Sequence, residues 1–286
     1  MQLSISGSTG LVGRELIEKL TGGEWTFRII NRDSLKMPDD EFREKKIDGA
    51  DAVINLAGSP IIRRWTESYK KEIYDSRINT TRKIADAIRN AKVKPGVFIS
   101  ASAIGIYDSV NTHNEESTSL ADDFLGRVCR DWEAEAMAVS DLTRVVITRL
   151  GVVLSSKGGA LKKAHGPFSF GLGGVIGSGQ QAFSFIHIRD LIRIYQAILE
   201  NENITGIVNA VAPESTNNYH FTKTLGKVLN QMTIFKIPES AMRLFFGDAA
   251  VTLTEGQNVV PAKLLQNGFQ FEFPTIEKSL LNIYRV

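Results

Sequence analysis

The chain has 286 residues, of which 43% are hydrophobic and 23% are charged, and its formal net charge is +2. This composition predicts one large folded core with a smaller lobe, and the lack of a basic block or of a basic and aromatic stripe argues against nucleic acid as a partner. The single cysteine, Cys129, excludes an internal disulfide and a cysteine-based zinc site, and we expect no bound metal. We find neither an export signal nor an apolar run of about 18 residues, so we expect a cytoplasmic protein without a membrane partner.

Strand-like and helix-like segments alternate along most of the chain. The predicted strands cover residues 2–6, 26–30, 52–56, 96–101, 144–148 and 207–210. The predicted helices, in which apolar residues recur three and four positions apart, cover residues 11–20, 82–90, 122–139 and 189–199. This alternation is typical of an α/β fold in which crossover helices cover both faces of a parallel sheet, the doubly wound arrangement.

A glycine-rich string, GSTGLVG at residues 7–13, follows the first predicted strand and opens the first predicted helix. Glycine permits a tight turn and a close backbone approach, and the free amides and dipole at a helix start favour a pyrophosphate. In this context the string predicts a dinucleotide site, whereas alone it would indicate only a turn. The predicted contacts here are Gly7, Ser8, Thr9, Gly10, Leu11 and Val12.

The next two strands end in residues that suit the adenosine end of a dinucleotide. Asn31 and Arg32 follow the second strand, and a guanidinium at this position can pair with a 2′-phosphate, so the sequence favours NADP(H) over NAD(H). The alternatives are a solvated loop arginine and a ribose contact from Asp33. The third strand ends in Leu56, Ala57 and Gly58. The last two residues are small enough for the backbone to pass close to the adenine ribose.

The second half of the chain is less regular. Residues 155–181 contain eight glycines and predict an irregular loop on the substrate side. Beyond them we expect a helix near residues 221–229 and then a mixed segment. We therefore predict a dinucleotide-binding domain at residues 1–230 and a small C-terminal domain at residues 231–286 that closes the substrate side.

With these residues in place, the chain resembles the extended short-chain dehydrogenases/reductases, and among them the atypical, epimerase-like group called epimerase family proteins. The resemblance covers essentially the whole chain. The segments that carry it are GSTGLVG (7–13), NLAG (55–58), RRWTESYKKEIYDSRINTTR (63–82), SASAIGIY (100–107), DDFLGRVCRDWEAEA (122–136), RLGVVLSSKGGAL (149–161), GLGGVIGSGQQ (171–181), IHIRDL (186–191) and NAVAPE (209–214).

The resemblance implies a Rossmann-type fold, bound NADP(H), a small-molecule substrate of undefined identity, and a possible homodimer through the helices within residues 63–90 and 122–139. It also adds Ser100 to the predicted cofactor contacts. Residues 149–153 resemble the stretch that passes the nicotinamide, which adds Leu150, Gly151 and Val152. Arg77 occupies the slot of a structural asparagine, and two roles are open to it: contact with the cofactor, or tying two helices together.

The resemblance also implies a catalytic pattern that this chain lacks in part. Active members use a serine or threonine after the fourth strand together with a Tyr-x-x-x-Lys pair, in which the lysine lowers the pKa of the phenol that exchanges a proton. Ser102 stands at the serine position, but the tyrosine and lysine positions fall near Val128 and Trp132, and no Tyr-x-x-x-Lys occurs between residues 103 and 145. The usual acid/base pair is absent.

Other side chains are candidates for the missing proton donor, each with a purely structural alternative. Tyr107 is the candidate that we place beside Ser102 in the predicted catalytic set, although it would equally suit the wall of a pocket. There are four further candidates. The alternative for Cys129 is a thiol packed in the core, and for His187 it is a structural histidine. For Asp131 and Glu133 the alternative is a solvated helix face.

Two functions of different class follow. The first is an NADP(H)-dependent oxidoreductase or epimerase acting on a small hydroxyl- or carbonyl-bearing metabolite, with Ser102 polarising the substrate oxygen. The second is a catalytically silent NADP(H)-binding module that senses the redox state of the nicotinamide and reports it to a partner.

Overall fold

A computed structural model describes residues 1–284 of the chain. Its strands are β1 (Gln2–Ser6), β2 (Thr26–Ile30), β3 (Ala52–Asn55), β4 (Val97–Ala103), β5 (Thr112–His113), β6 (Arg144–Leu150), β7 (Val152–Leu154), β8 (Gly174–Ile176), β9 (Phe185–His187), β10 (Gly206–Ala210), β11 (Phe235–Ile237) and β12 (Asn258–Val259). Its α-helices are α1 (Leu11–Leu20), α2 (Asp39–Phe42), α3 (Glu67–Asn90), α4 (Phe124–Met137), α5 (Gly159–Ser169), α6 (Ile188–Glu200), α7 (Asn218–Val228), α8 (Glu239–Phe246), α9 (Val251–Thr254), α10 (Ala262–Gln266) and α11 (Ile276–Tyr284).

Six strands form one parallel sheet in the order β10-β6-β4-β3-β1-β2. Helices cover both faces: α1 and α6 pack on one, and α3 and α4 pack on the other. Because both faces are covered, the strands are buried along nearly their whole length, as in β1 and β4. The predicted α/β fold with a doubly wound parallel sheet is confirmed.

The chain order reverses between β1 and β3, which are neighbours in the sheet: β2 lies on one side of them and β4, β6 and β10 lie on the other. In sheets of this kind, ligands bind at the carboxyl ends of the strands near such a reversal. The glycine-rich string, Arg32 and Ser102 all follow or end strands at this edge. The fold therefore brings the predicted site residues to one edge of the sheet.

The helix predicted at residues 82–90 starts earlier than expected, at Glu67. Thr66 caps it by accepting a hydrogen bond from the amide of Tyr69 at 3.2 Å. Many polar side chains obscure the apolar spacing in its first half, where tertiary packing of Tyr69 and Ile73 stabilises the helix.

The segment at 155–181 is ordered, so our prediction of an irregular loop is wrong. It contains α5 and β8, and β8 pairs with β11. Its glycines serve close packing: a Cβ on Gly173 would lie 2.5 Å from the ring of Phe168, and one on Gly174 would lie 2.7 Å from the carbonyl oxygen of Phe235. Glycine density marks tight contacts here rather than a flexible loop.

The C-terminal segment is joined to the rest of the chain by two small parallel sheets, β11 with β8 and β12 with β5. The predicted domain boundary after residue 230 stays a prediction. None of the helices within residues 1–284 combines the length and the apolar character needed to cross a bilayer.

Candidate functional site

The turn between β1 and α1 is built for close backbone contact. Gly7 has a φ of 72°, and a Cβ there would lie 2.6 Å from the backbone carbonyl of Leu56. A Cβ on Gly13 would lie 2.4 Å from the carbonyl oxygen of Gly7. Because α1 begins at Leu11, its first amides have no acceptor within the helix. The turn therefore presents free amide donors that fit a diphosphate.

Asn55, which the sequence analysis did not single out, fixes the neighbouring turn after β3. Its side-chain oxygen accepts from the Ser6 hydroxyl at 2.5 Å and from the amide of Ala57 at 3.3 Å. Its side-chain nitrogen donates to the Thr81 hydroxyl at 2.7 Å. This buried amide holds the predicted contacts Leu56, Ala57 and Gly58 against the glycine-rich turn. Its place in the string NLAG was the available signal.

Arg32 lies exposed at the end of β2 and makes no hydrogen bond or ion pair with any residue of the described range 1–284. It lines a cavity of about 550 Å³ whose other wall is the start of α3. Sequence reasoning missed Lys71, which places a cation on this second wall, where it is paired with Asp75. Asn31 instead stabilises the local turn, since its side-chain oxygen accepts from the amide of Ser34 at 2.8 Å. The other lining residues are Ser59, Ser68, Glu72, Asp75 and Ser76.

Arg77 connects the turn after β3 with two helices. Its guanidinium donates to the carbonyls of Ser59 at 3.1 Å and Ile73 at 3.0 Å, and it lies 5.2 Å from the ring centroid of Trp132. Burial lowers the pKa of Arg77. A Cβ on Gly58 would lie 3.0 Å from the guanidinium carbon. Of the two roles left open, the contacts fit the tying role, and contact with the cofactor stays a prediction.

Ser102 and Tyr107 belong to one buried polar network. The Ser102 hydroxyl donates to Glu133 at 2.6 Å, and Glu133 pairs with Arg149 through two hydrogen bonds of 2.8 and 2.7 Å. Arg149 also donates to the Tyr107 hydroxyl at 2.7 Å, which donates to the side-chain oxygen of Asn209 at 2.9 Å. Ser102 is 2% exposed and Tyr107 is fully buried. The polar atoms of both predicted catalytic residues are thus engaged within the protein.

The other candidate proton donors lie outside this hydrogen-bond network, are buried as neutral groups, or cap a helix. Burial raises the pKa of the Cys129 thiol to about 11. Asp131 accepts from the Tyr74 hydroxyl at 2.9 Å, away from the network. His187 caps α6, since its Nδ1 accepts from the amide of Arg189 at 3.1 Å, and burial lowers its pKa to about 4.

An apolar cluster occupies the positions that correspond to the missing tyrosine and lysine. Val128 and Trp132 pack there with Ala101, and Leu56 and Leu150 pack against the cluster from the ends of β3 and β6. Trp132 is 5% exposed, and its indole N–H has no acceptor within residues 1–284. Sequence reasoning had no signal for this orphaned donor.

The remaining predicted contacts lie on the strands that border this cluster. Ser100 is fully buried on β4. Gly151, between β6 and β7, donates its amide to the carbonyl of Ala210 at 3.2 Å, and a Cβ there would lie 2.8 Å from Val211. Leu150 and Val152 flank it. Cofactor contact by these four residues stays a prediction.

Taken together, the residues present fit a dinucleotide phosphate. Glycine turns, free helix amides and the cation of Arg32 lie on the β1–β3 side, and a buried N–H that finds no acceptor among residues 1–284 lies toward β6.

Residues 3–210 match the model of the NAD dependent epimerase/dehydratase family, and residues 237–283 match a domain of unknown function, DUF1731. The chain is 36% identical to the mouse protein named epimerase family protein SDR39U1, with 99% of both chains covered. It is 35% identical to an Arabidopsis thaliana homolog named as chloroplastic, covering 98% of this chain and 86% of that protein. The crystal structure of human epimerase family protein SDR39U1 with NADPH superposes with a TM-score of 0.92 at 35% identity, covering 99% of both chains.

Proposed function

The chain belongs to the NAD dependent epimerase/dehydratase family, as its resemblance predicted, and from this premise we propose that it binds NADP(H) and acts as an oxidoreductase on a small carbonyl- or hydroxyl-bearing metabolite. The observation that carries the proposal is Arg32, a cation without a protein partner in the described chain, beside the glycine-rich turn. The human relative crystallised with NADPH supports the same cofactor.

The diphosphate and the 2′-phosphate of the cofactor would each have partners on this chain. The amides at the start of α1 would hold the diphosphate, because a helix N-terminus carries partial positive charge. Arg32, with Lys71 on the opposite wall, would hold the 2′-phosphate through charge-assisted hydrogen bonds. Asn55 and Arg77 keep the turn after β3 in place, so that it is preorganised before ligand binds.

When bound, NADP(H) supplies hydride transfer. The chain's part would be to hold the reacting carbon beside the apolar cluster of Val128 and Trp132, which excludes water. The proton donor is not the usual phenol, because the tyrosine position carries Val128. Ser102 would have to exchange its bond to Glu133 for one to substrate before it could polarise a substrate oxygen.

The same network favours a second candidate, a silent module that binds NADP(H) and signals its presence to a partner. Ser102 donates to Glu133, and Arg149 links Glu133 to Tyr107, which is how residues in a structural role behave. In this case cofactor binding would proceed without turnover.

The test is a titration of nucleotide-free protein with NADPH and NADH, followed by reduced-cofactor fluorescence, and then addition of a panel of aldehydes, ketones and keto sugars to the NADPH complex. Tight NADPH binding followed by its oxidation supports the oxidoreductase. Tight binding without oxidation of NADPH, and without exchange of deuterium between labelled NADPH and any substrate, supports the silent module. Equal, weak binding of both nucleotides rejects the NADP(H) site.

We further propose a cytoplasmic location, which agrees with a single, buried, free thiol, and a homodimer that uses the adjacent helices α3 and α4. Light scattering on the purified protein tests the second proposal, and a monomer at micromolar concentration would reject it.

A further inference from the structure

Trp132 carries a donor that the protein itself leaves unused. Its side chain is 5% exposed, and its Nε1 has no acceptor among the residues from 1 to 284. Buried N–H groups are almost always hydrogen bonded, because losing water without gaining a partner is costly. The other cluster tryptophan follows this rule, since Trp65 donates its Nε1 to the carbonyl of Ile61 at 2.9 Å. The exception therefore suggests that Trp132 has a partner outside the chain.

The location of Trp132 limits what that partner can be. Leu56, at the end of β3, and Leu150, at the end of β6, pack against its cluster, whereas Arg32 follows β2 at the opposite side of the sheet. A dinucleotide whose 2′-phosphate lies at Arg32 and whose diphosphate lies at the start of α1 extends from β2 across β1 and β3. Its nicotinamide half then reaches the strand ends beside Trp132.

Arg77 holds the indole in place. The guanidinium lies 5.2 Å from the ring centroid, a cation–π distance, and its bonds to Ser59 and Ile73 fix it to the turn after β3 and to α3. The indole donor is thus held in a fixed position before any ligand arrives. A fixed donor loses little conformational entropy on binding.

We propose that the indole N–H of Trp132 donates a hydrogen bond to an acceptor oxygen on the nicotinamide half of bound NADP(H). This inference rests on the proposed NADP(H) site and adds a positioning residue to it. Trp132 thereby anchors the nicotinamide half from the helix position where the family's catalytic pattern has its lysine.

The substitution Trp132→Phe keeps an aromatic ring and removes the N–H, and Trp65→Phe is the matched control in the same cluster. We expect W132F to raise the Kd for NADPH about fivefold and to lower the Tm of the nucleotide-free protein less than W65F does, since both substitutions remove the same buried volume but only W65F breaks a hydrogen bond made within the protein. We expect W65F to lower that Tm, because it breaks a made hydrogen bond, while its Kd for NADPH stays within about twofold of wild type.

Adenosine 2′,5′-bisphosphate, which contains only the adenine half, separates a local effect from a general one. Its Kd, measured by calorimetry, should be the same for W132F and wild type. An unchanged Kd of W132F for NADPH would overturn the inference while leaving the proposed function intact. An equal loss of affinity for NADPH and for the bisphosphate would also overturn it, because that result would indicate a distorted site. Failure of wild type to bind NADPH would instead reject the proposed function and this inference with it.

Discussion

The two halves of the sheet edge differ in what their polar groups do. At the ends of β1 to β3, the cation of Arg32 makes no hydrogen bond or ion pair within residues 1–284, and the first amides of α1 have no acceptor within their helix. At the ends of β4, β6 and β10, Ser102, Glu133, Arg149, Tyr107 and Asn209 bind one another. We call these the open half and the closed half.

The difference shows that the open half has donors available for a ligand, whereas the polar groups of the closed half are already bonded to one another. Donors left free in the folded chain retain their capacity for an incoming phosphate, and binding need not break internal bonds. In the closed half, any new contact to Ser102 or Tyr107 has to replace an existing one in a buried environment, where an unpaired group is costly. Substitutions in the closed half should therefore act mainly on stability, and those in the open half mainly on ligand affinity.

The largest effect is expected from Glu133→Ala. It leaves the buried guanidinium of Arg149 without its carboxylate, which typically costs about 3–5 kcal/mol of unfolding free energy. Urea denaturation measures this. The control is Glu135→Ala on the same helix, whose partner Arg82 lies at the surface and whose loss should cost under about 1 kcal/mol. Equal effects of the two substitutions would show that the closed half is not held by this pair.

A pH effect is expected from His187, which lies buried at the start of α6, outside both halves. Burial lowers its pKa to about 4, so between about pH 6.5 and pH 4 the unfolded chain binds a proton that the folded chain does not. Stability should therefore fall as the pH falls through this window, by up to about 3 kcal/mol.

The matched variant is His187→Asn, because asparagine can still cap α6 but does not titrate. Urea midpoints at pH 7, 5.5 and 4.5 for both proteins measure the effect. The wild-type midpoint should fall more steeply than that of H187N, and parallel curves would contradict the assignment.

In the open half, Arg32→Ala should weaken NADPH binding by about 10- to 100-fold and NADH binding by less than about threefold, because only NADPH carries the 2′-phosphate. Unfolding free energy should hardly change, since the side chain is exposed. Lys36→Ala is the control, a neighbouring cation already paired with Asp33. Equal losses for the two nucleotides would remove the phosphate assignment from Arg32.

The smallest effect is expected from Ser102→Ala. The hydroxyl donates to Glu133 and not into the open half, so the Kd for NADPH should stay within about twofold, and stability should fall by about 1 kcal/mol. A large loss of NADPH affinity in S102A would break the distinction between the two halves.

The open half was largely predictable because its signals are local. The string GSTGLVG lies between a strand and a helix, and Arg32 directly follows a strand, so neighbouring residues carry both position and chemistry. The six strands of the sheet were predictable for a similar reason, since strand-like segments alternate along the chain with segments of helical apolar spacing.

The closed half was not predictable, because its partners are distant in sequence. Tyr107 meets Asn209 across 102 positions, and Ser102 meets Glu133 across 31. The glycines of residues 155–181 suggested an irregular loop, but their contacts with Phe168 and Phe235 make them packing positions in an ordered segment.

The sequence by itself determined the parallel α/β sheet, the glycine-rich turn and the placement of Arg32, because hydrophobic periodicity and turn chemistry depend on neighbours. Only the tertiary structure decided that the Ser102 hydroxyl faces Glu133, that Arg77 lies over Trp132, and that the indole N–H has no acceptor in the described part of the chain. Periodicity encodes which side chains are buried, whereas the identity of a buried group's partner depends on how distant segments pack together.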